Sequence, residues 1–372
     1  PLIGLKVHTE KILDGEQLKM DRSAQFSGTK DVDPKLQLEY GPIESYLKNL
    51  FGSNTSLLDI KQFKGGQSNP TYLLTTDKKS FVLRRKPPGK LLASAHAVDR
   101  EYKVITALNK TDVPVPQTYG LCEDDSVAGT PFFLMDHVDG NIFWDLLLTK
   151  SSREDRNKIY WSMNDTIAKL HNADFKSIGL SDYGKYENYM ARQIARWSKQ
   201  YKDSETTLIP EMDNLIEWLP QNIPPGEETS IVHGDFRLDN MVFDKNSNEV
   251  IAILDWELST LGHPIADFTY HMMTWRMPLG VQGIGILGAN LDELNIPNEN
   301  EYAEAYYQKT NRNEIHNWDF FLAYNMFRLA GITQGIAGRV RDGTASSDQA
   351  KQYGAFVPIL SQMAWKIVEN IK

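Results

Sequence analysis

Residues Ile231–Phe243 read IVHGDFRLDNMVF. Two apolar stretches enclose a short polar loop with His233, Asp235, Arg237, Asp239 and Asn240 in it. Removing such groups from water costs several kcal/mol for each charge left unpaired, so the loop must hold partners or a ligand. Asn240 follows Asp235 by five positions, and His233 precedes it by two. A second apolar run, Val250–Leu254, ends on Asp255. The spacing predicts a hairpin of Met241–Phe243 with Val250–Leu254 around Asn246-Ser247-Asn248, which would bring Asp235, Asn240 and Asp255 together.

Asp and Asn oxygens are hard ligands suited to Mg2+. With the other two on a metal, one carboxylate remains to accept a proton or orient a nucleophile. That inventory suits phosphoryl transfer, where catalysis is mostly positioning and charge neutralisation. Protein kinases carry His-Arg-Asp with Asn five places after the Asp, and a metal-binding Asp at a later strand end. Here Gly234 stands where the Arg would be. Upstream, Gly65-Gly66-Gln67-Ser68-Asn69 supplies a glycine turn between strands that could cover phosphates; the plain alternative is an ordinary hairpin turn. Arg84, in Phe81-Val82-Leu83-Arg84, supplies a basic strand residue and Glu101 an acid on the next helix. The five parts come in the order a kinase requires.

The rest of the chain fits a folded enzyme. It has 372 residues, 41% of them hydrophobic, and about two domains are expected at that length. No run reaches the ~18 apolar residues of a membrane helix, and no secretory signal or terminal targeting tripeptide is evident. Cys122 is the single cysteine, which excludes an intrachain disulfide and fits a cytoplasmic location. A structural zinc site lacks its ligands. The formal net charge of −9, without a basic tail, argues against nucleic acid as partner.

Periodicity organises the chain into three parts. Residues 1–40 are polar and mixed and read as an extension over the surface. Residues 41–138 form a nucleotide-binding lobe: a helix at 43–50, strands at Leu57–Phe63, Thr71–Thr75 and Ser80–Arg84, a helix at Ala95–Leu108, and a strand at Pro131–Met135. Residues 139–372 form a catalytic and substrate-binding lobe, mainly helical, with the hairpin inserted. Its helices are expected at 155–172, 186–201, 211–219, 267–275, 301–309, 318–339 and 349–369. The fold class is α+β: a bilobal, protein-kinase-like fold with a small antiparallel-sheet lobe and a larger helical one.

FKGGQSNPTYLL, FVLRRKPPGKLL, HGDFRLDN, ILDWELSTLGHPIADF and YMARQIARWSKQY together resemble the aminoglycoside-phosphotransferase-like (APH) kinases. The branch they resemble is that of the kinase domain of acyl-CoA dehydrogenase family members ten and eleven. The resemblance spans roughly residues 41–345. It implies ATP and Mg2+ as cofactors and a small-molecule acceptor, typically a 4-hydroxyacyl-CoA. It also implies Asp235 as catalytic base, Asn240 and Asp255 as metal ligands, and Arg84, paired with Glu101, on the ATP phosphates. Asp267 would brace the catalytic loop, and Asp136, His137 and Val138 would form the hinge that meets adenine. His233 is expected to hold the loop by hydrogen bonds, and His171 to be a satisfied structural histidine. Two departures matter. Arg84 replaces the usual Lys, and Trp256-Glu257 follows the metal Asp where Phe-Gly would stand. The second argues against a phosphorylation-gated activation loop and for a small-molecule kinase.

Arg192 and Arg196 lie four apart on one helix face, and Arg328, Arg339 and Arg341 follow later. Facing solvent they would mean little; facing a site they suit an anionic acceptor such as a CoA ester. Gly331, Gly335 and Gly338 are expected to mark close helix packing. Another hydroxyl acceptor (an aminoglycoside, a sugar or a choline-like compound) stays open, as does a nucleotide-binding pseudokinase scaffold. A functional link to an acyl-CoA dehydrogenase is a further expectation.

Overall fold

The structure is a computed structural model that describes residues 26–65, 68–89, 96–279, 285–312, 316–343 and 354–371. Along the chain its strands are β1 (Thr29–Lys30), β2 (Leu57–Phe63), β3 (Thr71–Thr76), β4 (Ser80–Arg85), β5 (Thr118–Cys122), β6 (Phe132–Asp136), β7 (Ser230–Val232), β8 (Met241–Phe243), β9 (Val250–Ile253) and β10 (Thr260–Gly262). Contacts divide the chain into two compact units. One holds the residues up to Met163 together with Arg237–Leu258; the other holds Asn164–Phe236 and Ser259 onward.

The first unit is built on an antiparallel sheet of order β1-β2-β3-β4-β6-β5. β3 alternates half-buried and buried residues, the period-two signature of a sheet with one apolar face. Tyr72, Leu74, Phe81, Leu83, Phe132 and Leu134 form that face, and Ile43 and Leu47 of helix Tyr40–Phe51 pack on it. β4 is buried along nearly its whole length, so its arginines must be satisfied inside the protein. Alternation sends them to opposite faces. Arg85 turns to the carbonyls of Ala128 and Leu36, and Arg84 to Glu101 of helix Val98–Leu108. The β8–β9 hairpin completes the unit, with Met241 opposite Ile253 and Val242 opposite Ala252.

The reading of residues 1–40 as a surface extension is corrected where they are described. β1 adds an edge strand to β2, Leu38 is buried, and the Tyr72 hydroxyl donates to the carbonyl of Leu36 at 2.7 Å. A two-residue strand and a lone apolar residue offer no period to read. The starts of the helices expected at Ala95 and Gln349 fall outside the described residues; the observed helices are Val98–Leu108 and Phe356–Ile371.

The second unit is mainly helical, with β7 and β10 paired antiparallel. Helix Pro264–Arg276 is buried on almost every side. It opens with proline at its first position and a His263 side chain that accepts from the Ile265 N–H at 3.2 Å, a cap that spares one orphan donor. Helix Trp318–Arg341 runs against helix Tyr189–Ser204. A methyl group at Gly338 would come within 2.8 Å of the Ser204 Cβ, and one at Gly331 within 3.5 Å of the Trp197 carbonyl oxygen. The glycines set that close approach. Among the described residues no helix is long and apolar enough to cross a membrane.

Candidate active site

In the first unit the candidate residues gather around Arg84. Its Nε lies 2.9 Å from Glu101 Oε2, and its Nη2 donates to Asp255 Oδ1 at 2.8 Å. The Arg84 side chain is 9% exposed and that of Glu101 2%, so this is no surface ion pair. The Nε–H is not aligned on the carboxylate, which makes the Glu101 contact a close charge pair rather than a directed hydrogen bond. Burial opposes the charge on Arg84, but the carboxylates of Glu101 and Asp255 outweigh it and hold its pKa above the ordinary value.

Asn240 and Asp255 come together by backbone pairing. The Leu254 N–H donates to the carbonyl of Asn240 at 2.8 Å, one residue before Asp255. Asp255 adopts φ 64°, a left-handed conformation that Asp tolerates better than most residues and that ends the strand. Its side chain is 38% exposed, with Oδ1 on Arg84. Among the described residues no group of three or more His, Cys, Asp or Glu could hold a metal alone. One carboxylate beside an asparagine amide does fit Mg2+, which commonly takes one or two protein oxygens and fills its octahedron with phosphate and water.

The glycine turn lies nearby. Gly66 and Gln67 fall outside the described residues. Gly65 is described, its Cβ position 3.4 Å from the Phe26 carbonyl oxygen. Ser68 donates from Oγ to Glu257 Oε1 at 3.2 Å. Asn69 is fully buried and donates to Glu101 Oε1 at 2.9 Å, which ties the turn to the acid that pairs with Arg84. Glu257 is a member of this cluster that sequence reasoning missed. Burial, then the neighbouring charge of Asp255, pushes it up to about 7. In the expected hinge, Asp136 Oδ1 accepts from Lys79 Nζ at 2.6 Å and Tyr119 Oη at 2.9 Å. Its N–H donates to Gln117, and that of His137 to Ser80 at 3.4 Å. The hinge ends at Val138.

In the second unit Asp267 anchors the loop that carries Asp235. Its Oδ2 accepts the His233 N–H and its Oδ1 the Gly234 N–H, each at 2.8 Å. His171 Nε2 lies 3.2 Å from Oδ2, and its Nδ1 lies 2.6 Å from the Tyr306 hydroxyl. A neutral His171 that donates from Nε2 and accepts at Nδ1 satisfies both contacts. Burial pushes Asp267 up, but His171, His233 and the backbone donors outweigh it and hold it below the ordinary carboxylate value. Gly234 adopts φ 82°, which explains glycine where kinases have Arg. His233 Nδ1 accepts the Asp235 N–H at 3.2 Å. Tyr270, which the sequence did not single out, donates to Asp235 Oδ1 at 2.7 Å.

The four candidate substrate arginines lie in different surroundings. Arg328 is 8% exposed, its Nη2 donates to the Gly234 carbonyl at 2.6 Å, and its guanidinium stacks 4.8 Å from the Tyr270 ring. Arg192 donates to the carbonyl of Lys185. Arg196 and Arg339 line one cavity.

Two buried histidines and the partly buried His263 make the stability of this unit acid-sensitive. Burial above all lowers His171, and it lowers His263 and His271 to about 4. They stay neutral in the fold, whereas the unfolded chain takes up protons as pH falls through about 6.5. Their contribution is therefore full above that pH and is lost between about 6.5 and 4, on the order of 3 kcal/mol for each of the last two. Urea midpoints should hold from pH 7.5 to about 6.5 and fall from there to 4.5, less steeply in His271→Gln. A flat profile would refute the assignment.

Residues 59–307 match the model of the phosphotransferase enzyme family, APH. The chain belongs to that family. It is 40% identical over 339 residues to mouse acyl-CoA dehydrogenase family member 10, which covers 91% of this chain and 32% of that protein. It is 39% identical over 342 residues to human family member 11, covering 90% and 44%. The chain thus spans less than half the length of these relatives. It superposes with TM-score 0.83 and 47% identity on a Ralstonia eutropha JMP134 protein, provisionally named an aminoglycoside phosphotransferase; 90% of this chain and 99% of the other are covered. A thermostable mutant of aminoglycoside phosphotransferase APH(4)-Ia, in complex with AMP-PNP and hygromycin B, has TM-score 0.57 at 14% identity over 88% and 98% of the two chains. That likeness shows the fold. The α+β fold and the family kinship read from the sequence are borne out, and the family makes this chain a phosphotransferase with a hydroxyl acceptor.

Proposed function

We propose that the chain is an ATP- and Mg2+-dependent kinase whose acceptor is a 4-hydroxyacyl-CoA. The observation that carries the kinase reading is the buried Arg84 network, which joins the glycine turn through Glu101 and Asn69 to the strand-end Asp255. Gly65–Asn69 and Arg84 hold the nucleotide's phosphates, Glu101 orients Arg84, and Asp136–Val138 receive adenine. Asn240 and Asp255 hold Mg2+, which neutralises phosphate charge when bound. Asp235 takes the proton of the acceptor hydroxyl as its oxygen attacks the γ-phosphorus and the bond to the ADP leaving group breaks. Asp267, His233 and Arg328 keep the loop that carries Asp235 in place.

Support for the acceptor is the identity near 40% with acyl-CoA dehydrogenase family members 10 and 11 over nine-tenths of this chain. The phosphorylated ester would then be substrate for an acyl-CoA dehydrogenase in the cytoplasm. Hydroxyacyl-CoA esters, the free hydroxy acids and amino sugars, offered side by side with ATP, should show phosphate mass gain on the ester first. A preference for the free acid or an amino sugar would replace this acceptor.

The metal assignment has its own test. Mg2+-ATP should raise the melting temperature of the parent by mass action. Asp255→Ala should abolish most of that rise, because it deletes the formal charge at the metal, and Asn240→Ala should abolish less. A parent-like rise in both variants would remove these residues from the metal site.

A further inference from the structure

We propose that a basic groove between helices Tyr189–Ser204 and Trp318–Arg341 binds the phosphates of the acceptor's coenzyme A moiety. The proposal rests on the acyl-CoA reading above and gives it a place on the protein. The groove encloses about 390 Å³. Arg196, Lys199, Arg339 and Arg341 line it, against Asp203 and Asp342. Four cations to two anions, in a chain of formal charge −9, is a local reversal of sign. Such a concavity focuses its field and steers anions toward it.

Two ion pairs at the groove are open to solvent. Lys199 meets Asp203 at 2.7 Å and Arg341 meets Asp342 at 2.8 Å, with all four side chains well exposed. Exposed pairs of this kind contribute little, so exchange for a phosphate is favourable. Gly335 and Gly338 leave the groove wall without side chains, and Gly335 keeps Gln200 in reach of it.

Position argues for coenzyme A in particular. Arg328, on the same helix, holds the Gly234 carbonyl of the catalytic loop. From Arg328 to Arg339 the helix climbs eleven residues, roughly 16 Å at its ordinary rise. An acceptor whose reactive hydroxyl and anionic end are separated by a long arm can satisfy both places. An acyl-CoA has that arm in its pantetheine, whereas the carboxylate of a free 4-hydroxy acid sits only a few bonds from its hydroxyl. A polycationic amino sugar would be repelled.

The test compares 4-hydroxyacyl-CoA with the matching 4-hydroxyacyl-pantetheine, which lacks the three phosphates. The parent should prefer the CoA ester by roughly tenfold or more in kcat/KM, the worth of one or two charge-assisted hydrogen bonds. In Arg339→Glu and Lys199→Glu that preference should shrink toward unity, through KM for the CoA ester rather than kcat. Arg339→Lys should retain most of it. Melting temperatures near the parent's would confirm that these exposed substitutions leave the fold intact. If both charge reversals keep the full preference, the groove assignment is wrong while the acceptor reading stands. If the parent phosphorylates no hydroxyacyl-CoA, the acceptor reading fails and the groove assignment falls with it.

Discussion

Asp235→Asn is expected to keep the fold and to lower turnover by about 10²–10⁴-fold, the usual worth of a positioned proton acceptor. The substitution is nearly isosteric. An amide oxygen can still accept from the Tyr270 hydroxyl, now 2.7 Å from Oδ1, and the backbone N–H can still donate to His233 Nδ1. What disappears is the carboxylate that can take the proton of the acceptor hydroxyl. kcat would be measured at saturating nucleotide and acceptor, with the urea midpoint recorded alongside. Tyr270→Phe makes a useful companion, because it removes the partner of Oδ1 and leaves the carboxylate; its loss should be far smaller. Turnover of Asp235→Asn within about threefold of the parent would take Asp235 out of the chemistry.

Much of this arrangement was legible in the sequence, for reasons that differ by residue. β2 was readable to its ends because turn-forming residues bound it on both sides, and β8 and β9 because they flank a polar turn. That hairpin placed Asp255 two residues beyond β9, and the Leu254 N–H on the Asn240 carbonyl brings it beside Asn240. The pairing of Arg84 with Glu101 was legible from the order of the kinase parts, a basic strand residue followed by an acid on the next helix. Short strands were not legible: β7 and β10 pair over three residues each, too few for a period. Nor were contacts between residues far apart in sequence. Tyr270 looks like one more buried aromatic until its hydroxyl is seen on Asp235. Glu257 looks like a departure from a kinase motif until Ser68 is seen on it. Arg328 lies on a helix buried on nearly every side, so periodicity could not show that its guanidinium turns to the catalytic loop.

The brace under that loop should give the largest stability effect in the protein. Asp267→Ala removes one carboxylate that accepts two backbone N–H groups and faces His171, all of them buried. Each orphaned buried donor costs about 1–3 kcal/mol, and the substitution orphans two backbone N–H groups and the His171 Nε2–H. The expected loss is therefore roughly 3–5 kcal/mol, read as a fall in the urea midpoint, with kcat at least tenfold lower because the N–H groups that fix His233 and Gly234 lose their anchor. Asp267→Asn should be nearly as damaging despite its shape. Its NH2 group would face an N–H where Oδ1 or Oδ2 now accepts, so one donor would meet another. His171→Ala should cost less, since it deletes one neutral donor and leaves both backbone bonds in place. The order Ala at 267, Asn at 267, Ala at 171 separates a brace from simple packing, because packing alone would make the isosteric Asn the mildest. If Asp267→Asn retains parental stability and turnover, the carboxylate is not the element that holds the catalytic loop.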